Sequence, residues 1–196
     1  MKISQVAKMI HSGQIITRVE AKEQAGDEVI DEKKVLVPKA ISNGRVIASE
    51  LGKVKLKKHV NKKRITLKGD ICVKLSNPYD VTYIKSEDEG LVVPSFCAII
   101  RSLDTTKIDP WFLTAFLNTD YIVELLKSRV SGSVMPMIKI ADLKELEIPN
   151  ISIEKQREVG QAFAISTEKQ QVLQQIQENE NNIIKSIVVN AVKEAK

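Results

Sequence analysis

The chain has 196 residues, 43% hydrophobic and 28% charged, which suits one folded domain plus an extension and excludes a disordered polymer. Lysine and arginine number 30 against 25 aspartates and glutamates, a net charge of +5 that permits a nucleic-acid partner without requiring one. No stretch is apolar over the ~18 residues that a membrane span needs, and the opening Met-Lys-Ile-Ser has no apolar signal core behind it, so a cytoplasmic protein is expected.

In chain order, Ile3, Val6, Ala7 and Ile10 stand at helical spacing, with Gly13 as a stop, and predict a helix over residues 3–10. Residues 15–19 read as a strand and 20–31 as an acidic loop. Val35-Leu36-Val37 reads as a short strand before Pro38, Ser42-Asn43-Gly44 as a turn and residues 46–48 as another strand. Val54 and Leu56 alternate with lysines, the pattern of a strand with one wet face. Lys68-Gly69-Asp70 turns into Ile71-Cys72-Val73, a short buried strand, and Asn77-Pro78-Tyr79-Asp80 turns again. Residues 81–84 and 91–100 add Val- and Ile-rich strands, with Pro94 marking an edge or bulge.

The texture changes at Asp109. Asp109 suits a helix cap and Pro110 its first position, with Trp111, Ala115 and Phe116 forming an apolar face. A second helix starts at Thr119 or Asp120, turns Tyr121, Ile122, Leu125 and Leu126 inward and ends near Arg129. Residues 130–139 read as a loop, 141–146 as a short element, and Glu147-Ile148-Pro149 leaves the domain. Residues 152–195 hold no proline and one glycine, Gly160. Val172, Ile176, Ile183 and Ile187 form a stripe near heptad spacing, with Asn179 on the seam. A helix of that length, about 65 Å at ~1.5 Å per residue, overhangs a small domain. Either it pairs with a helix of another chain through this stripe or it folds back on its own domain. The expected class is therefore α+β: a mixed globular domain over residues 1–150 and a long spacer helix over 151–196.

Residues that carry catalysis are hard to find. A methyltransferase needs a glycine-rich turn and an Asn/Asp-Pro-Pro-aromatic loop; Asn77-Pro78-Tyr79 lacks one proline and no Gly-x-Gly occurs. A magnesium nuclease needs an acid followed by an acid-x-Lys pair. Glu20-x-Lys22 and Asp142-x-Lys144 fit that spacing, which chance supplies in a chain this charged. Cys72, Cys97, His11 and His59 lack metal-ligand spacing, and the cysteines read as small buried hydrophobes. No metal and no catalytic residue is expected, leaving a binding module, with a protein-interaction scaffold or a small metal-dependent DNA nuclease as the alternatives.

The most uneven feature is charge. Residues 52–69 contain no acid but hold Lys53, Lys55, Lys57, Lys58, Lys62, Lys63, Arg64 and Lys68. Such a run either follows a phosphate backbone or is a solvated edge blunted by lysines.

Four pieces in order resemble the DNA specificity (S) subunits of Type I restriction-modification systems. They are the opening helix ending at His11-Ser12-Gly13; Leu67-Lys68-Gly69-Asp70-Ile71, similar to that family's Gly-Asp-Ile turn; the small-residue loop Ser131-Gly132-Ser133 after two helices; and Leu143 to Leu146 followed by Ile148-Pro149, Glu154, Gln156 and Val159, similar to the family's exit into its spacer helix. Ile151 stands where the family often has a second proline, Lys155 where it has glutamate, and Leu75-Ser76-Asn77-Pro78 where it has a glycine-containing loop.

The resemblance implies a half-length subunit with one target-recognition domain, paired as a homodimer through Val172, Ile176, Asn179, Ile183 and Ile187. It implies double-stranded DNA as ligand, a modification subunit that carries S-adenosylmethionine and methylates adenine, and a restriction subunit that cleaves; no cofactor is expected in this chain. Lys55, Lys57, Lys58, Lys62, Lys63 and Arg64 would lie along phosphates. Lys74, Ser76, Asn77, Arg129, Ser131, Gly132, Ser133 and Lys139 would approach the bases. The alternative for Ser131-Gly132-Ser133 is a plain turn between elements.

Overall fold

A computed structural model describes residues 1–22, 24, 26–129 and 137–194. The opening segment is not a helix. A 3-10 turn, Ile3–Gln5, leads into strand β1 (Ala7–Ser12), which pairs antiparallel with β8 (Cys97–Leu103), Ala7 opposite Leu103 and Ser12 opposite Ala98. The ladder gives β1 partners for its backbone that a helix would have had to supply internally. Ile3, Val6 and Ile10 are buried in this conformation as they would be on a helix face, so the spacing could not discriminate.

Residues 15–19 likewise contain a 3-10 turn, Ile16–Arg18, in place of a strand. Of residues 35–37 only Val35 lies in a strand, as the last residue of β2 (Asp31–Val35), which pairs antiparallel with β5 (Gly52–Leu56). Between them lies the two-residue ladder of β3 (Ile41–Ser42) and β4 (Arg45–Val46), closed by Asn43 and Gly44 at φ 35° and 84°. A loop of two residues with positive φ matches the twist of the strands it joins.

The central sheet has the order β1-β8-β6-β7, with β6 (Ile71–Lys74) and β7 (Val81–Tyr83), and every pairing is antiparallel. Both faces are covered, which explains the unbroken apolar run of β8. Ala98 and Ile100 point to one core with Ile3, Val6, Ile10, Ile71 and Val73; Cys97 and Ile99 point to another with Leu36, Ile41, Cys72 and Ile84. Helix α1 (Pro110–Leu117) covers the first face; the Asp109 carboxylate caps it by accepting from the Phe112 N–H at 2.8 Å, with Pro110 in its first turn. Helix α2 (Asp120–Arg129) buries Ile122 and Leu126 in the same core. Tyr121, expected inside, is 70% exposed because it sits about 100° around the helix from Ile122. A five-residue helix, α3 (Ile140–Lys144), follows.

Helix α4 (Ile153–Glu194) runs 42 residues, about 63 Å at ~1.5 Å per residue. Its first half rests on the domain. The Gln156 amide is buried: its oxygen accepts from Asp109 N–H at 3.0 Å and its nitrogen donates to the carbonyls of Lys107 and Ile151 at 3.3 and 2.9 Å. Phe163 lies against Trp111, ring centroids 6.4 Å apart, and Thr167 is buried. From residue 175 to 194 every position is exposed, so the second half extends beyond the body of the domain. The fold is thus a mixed α+β domain carrying one long C-terminal helix.

Candidate nucleic-acid interface

The basic run is shaped by alternation and then by a braced turn. In β5, Val54 and Leu56 enter a core with Val35 and Val92 while Lys53 and Lys55 face solvent. Lys57 is tied back to Asp27 at 2.9 Å; that carboxyl sits below the usual range because the Lys22 N–H and then the Lys57 ammonium donate to it. Lys58 is exposed. Asn61 caps the 3-10 turn Lys62–Arg64 by accepting from the Lys63 N–H at 2.9 Å. From inside, the Arg101 guanidinium donates to the Lys63 and Ile65 carbonyls at 3.4 and 2.6 Å. The turn therefore presents Lys62, Lys63 and Arg64 from a fixed backbone.

The second group of expected residues lies at the other end of β6. Ile138 N–H donates to the Leu75 carbonyl at 2.8 Å and Ser76 pairs with Met137, so Ser76, exposed Asn77 and exposed Lys139 share one ledge. Arg129 joins the neighbouring helices by donating to the Asp142 carbonyl at 3.0 Å. Lys74 does not reach this ledge. It is 7% exposed and its ammonium is held at 2.6 Å by Asp80, closing the 75–80 turn from within; as a base-contacting residue it is withdrawn. Ser131, Gly132 and Ser133 lie outside the described residues. The basic turn is held by Arg101, which pairs with Asp70 just before β6, and the ledge begins at Ser76 just after it.

Three further basic residues join this surface without having been expected as DNA contacts. Arg101 carries no sign of its bracing role beyond its charge. Lys8 and Lys144 come beside Lys63 and Arg64 only through the fold, and a helix over residues 3–10 would have placed Lys8 differently. Among the described residues no three His, Cys, Asp or Glu side chains are grouped to hold a metal. Burial pushes the Cys72 thiol well up and Cys97 up to about 12, so neither is poised as a nucleophile. No helix is long and apolar enough to cross a membrane, among the described residues.

The projecting half of α4 exposes Ile183 and Ile187, each about 60%, together with Ile184, Val188, Val189 and Val192; nearer the domain Val172 and Ile176 are half exposed. Asn179 is exposed between them. A stripe this apolar and this open is unusual for a helix end that meets nothing.

No family model matches the sequence, and no curated protein matches it. Solved structures match the fold. The HsdS subunit from Thermoanaerobacter tengcongensis aligns with a TM-score of 0.62 and 15% identity over 90% of this chain and 43% of that one. A chain from a structure of the assembly and conformational transition of a type I R-M system aligns at 0.60 and 15% identity, over 88% of this chain and 43% of its own length. The S subunit of a type I restriction-modification system from M. genitalium aligns at 0.50 and 16% identity, over 86% and 38%. The chain has the fold of these S subunits and spans about two fifths of their length.

Proposed function

We propose that this chain recognises a DNA sequence as a half-length Type I specificity subunit, directing adenine methylation and cleavage that partner subunits perform. The observation that carries the reading is the whole arrangement shared with S subunits: a mixed α+β domain continued by one long helix, aligned over 90% of the chain. The exposed lysines of residues 52–64 and the ledge of Ser76, Asn77 and Lys139 give that fold a phosphate-following edge and a polar tip.

The neighbours align with this chain over 43% of their own length, and the exposed apolar stripe of α4 is what supports pairing with a second copy. Two copies would meet along the Val172, Ile176, Asn179, Ile183 and Ile187 stripe, with Asn179 fixing the register. A two-fold pair of identical readers addresses an inverted repeat, and the helices set the distance between half-sites. S-adenosylmethionine would belong to the modification subunit, and nuclease activity to a restriction subunit.

Sequencing of methylated adenines in cells that express the chain with its modification subunit tests the reading. The expected result is a split, palindromic motif that disappears when this chain is omitted. Methylation that does not depend on the chain would leave the other reading, a scaffold that uses its long helix without touching bases, which the exposed apolar stripe also suits.

A further inference from the structure

The unexpected neighbours of the basic turn form a feature of their own. A groove of about 440 Å³ runs between the outer edge of β1, the Lys62–Arg64 turn and α3. Lys8 comes from β1, Lys63 and Arg64 from the turn, and Lys144 from α3; among the described residues no carboxylate lines the groove. None of these four side chains has an ion-pair partner among the described residues. Like charges gathered without a counter-charge repel, and a fold that holds them together leaves a site for an anion.

Two other observations concern residues that line the groove. The Nε2 atom of His11, which lines it, is buried with no hydrogen-bond partner among the described residues, while Nδ1 contacts the Ser12 carbonyl at 3.1 Å. One wall is also rigid. Asn61 caps the turn, and Arg101 fixes the carbonyls of Lys63 and Ile65, so the Lys63 and Arg64 side chains start from a fixed backbone. A site built this way holds an anion at lower entropic cost than four free lysines would.

We propose that this groove is a second phosphate-binding site, which takes the backbone of a nucleic acid strand as it continues past the Lys62–Arg64 turn. Lys63 and Arg64 belong both to the basic run and to the groove, so one strand in contact with Lys58 and Lys62 is led toward Lys8 and Lys144. The inference rests on the DNA-reading function and extends it by a surface that the sequence alone did not mark. Its ligand is a phosphodiester; a free phosphate ion would satisfy the same four cations, and the test separates the two.

The experiment is the salt dependence of duplex binding by the chain assembled with its modification subunit, using DNA that holds its methylation motif. The wild type is compared with the Lys8→Ala/Lys144→Ala double variant, both exposed positions, and with a Lys39→Ala/Lys107→Ala control, whose lysines already face carboxylates. The expected result is a salt slope shallower by about 1.8 per bound copy for the first variant, as loss of two phosphate contacts requires, and no change for the control. Thermal melting of each variant confirms the fold. A wild-type slope retained by Lys8→Ala/Lys144→Ala overturns the groove and leaves the DNA-reading function standing. So does a slope that stays unchanged while inorganic phosphate, at matched ionic strength, shifts the His11 ring resonances. Absence of any duplex binding by the wild-type assembly overturns both.

Discussion

Arg101 and Asp70 form a two-point ion pair inside the domain, Nε to Oδ1 at 2.7 Å and Nη2 to Oδ2 at 2.6 Å, with side chains 9% and 2% exposed. The pair joins the end of β8 to the turn that opens β6. Asp70 also accepts from the Leu67 N–H at 2.8 Å, and Arg101 uses its remaining donors on the backbone of the basic turn. The hydrogen bonds that Asp70 accepts from the guanidinium, and the carboxylate's charge, hold the guanidinium's pKa up, against its burial. One buried charge pair thus organises the Gly69-Asp70 turn and the cationic surface together. Because each partner is buried, losing one strands the other, at a cost on the order of 3–5 kcal/mol. Arg101→Met and Asp70→Asn should each lower the urea midpoint accordingly, and amide exchange at Arg64 should accelerate more than at Ile100. A loss below about 1 kcal/mol would show that water replaces the missing partner.

Gly160 marks the closest approach of α4 to the domain. A Cβ there would run into the Asp109 carboxylate and come within 2.8 Å of the Phe112 nitrogen, the two halves of the α1 cap. In an exposed helix Gly→Ala stabilises by about 1 kcal/mol. Here the methyl must displace either the cap, itself worth about 1 kcal/mol, or the helix. Gly160→Ala should therefore destabilise, by about 1–3 kcal/mol in denaturant unfolding, with the Trp111 fluorescence altered because Phe163 moves with the helix. A stabilised variant would mean that α4 does not dock in this register.

Asp88 titrates near neutrality. Burial is the larger cause, with the Glu87 charge adding to it, and together they raise its carboxyl from 3.8 to about 6. The folded state thus holds this proton more tightly than the unfolded chain. Its contribution is full below about pH 4 and is lost as pH rises through about 6. Asp88→Asn should melt higher than wild type at pH 7.5, and the difference should vanish near pH 4. A difference that grows on acidification has the wrong sign and would show that the carboxylate has a stabilising partner.

The projecting half of α4 separates association from folding. Ile183 and Ile187 are about 60% exposed on the projecting half of the helix. Ile183→Asp/Ile187→Asp should leave the domain's melting temperature nearly unchanged, since exposed substitutions stay within about 0.5 kcal/mol. Light scattering should show a dimer for the wild type and a monomer for the variant. A wild-type monomer at every concentration would remove pairing through this stripe.

Local sequence settled the helical half of this protein. Asp109-Pro110 announced α1 by capping chemistry, and the unbroken helix formers after residue 152 announced α4, because caps, propensity and 3.6-residue spacing act within a few residues of each other. The same spacing misled at residues 3–10. Ile3, Val6 and Ile10 satisfy a helix face and a half-buried turn and strand equally well, and the choice lay with β8, some ninety residues away.

The sequence also determined that lysines crowd residues 52–69, but not what they face. Lys57 is drawn in by Asp27 and Lys74 by Asp80, while Lys8 and Lys144 join Lys63 and Arg64 from distant positions in the chain. Charge composition is a property of the chain; which charges are neutralised, and which are held together bare, depends on distances that only long-range packing creates.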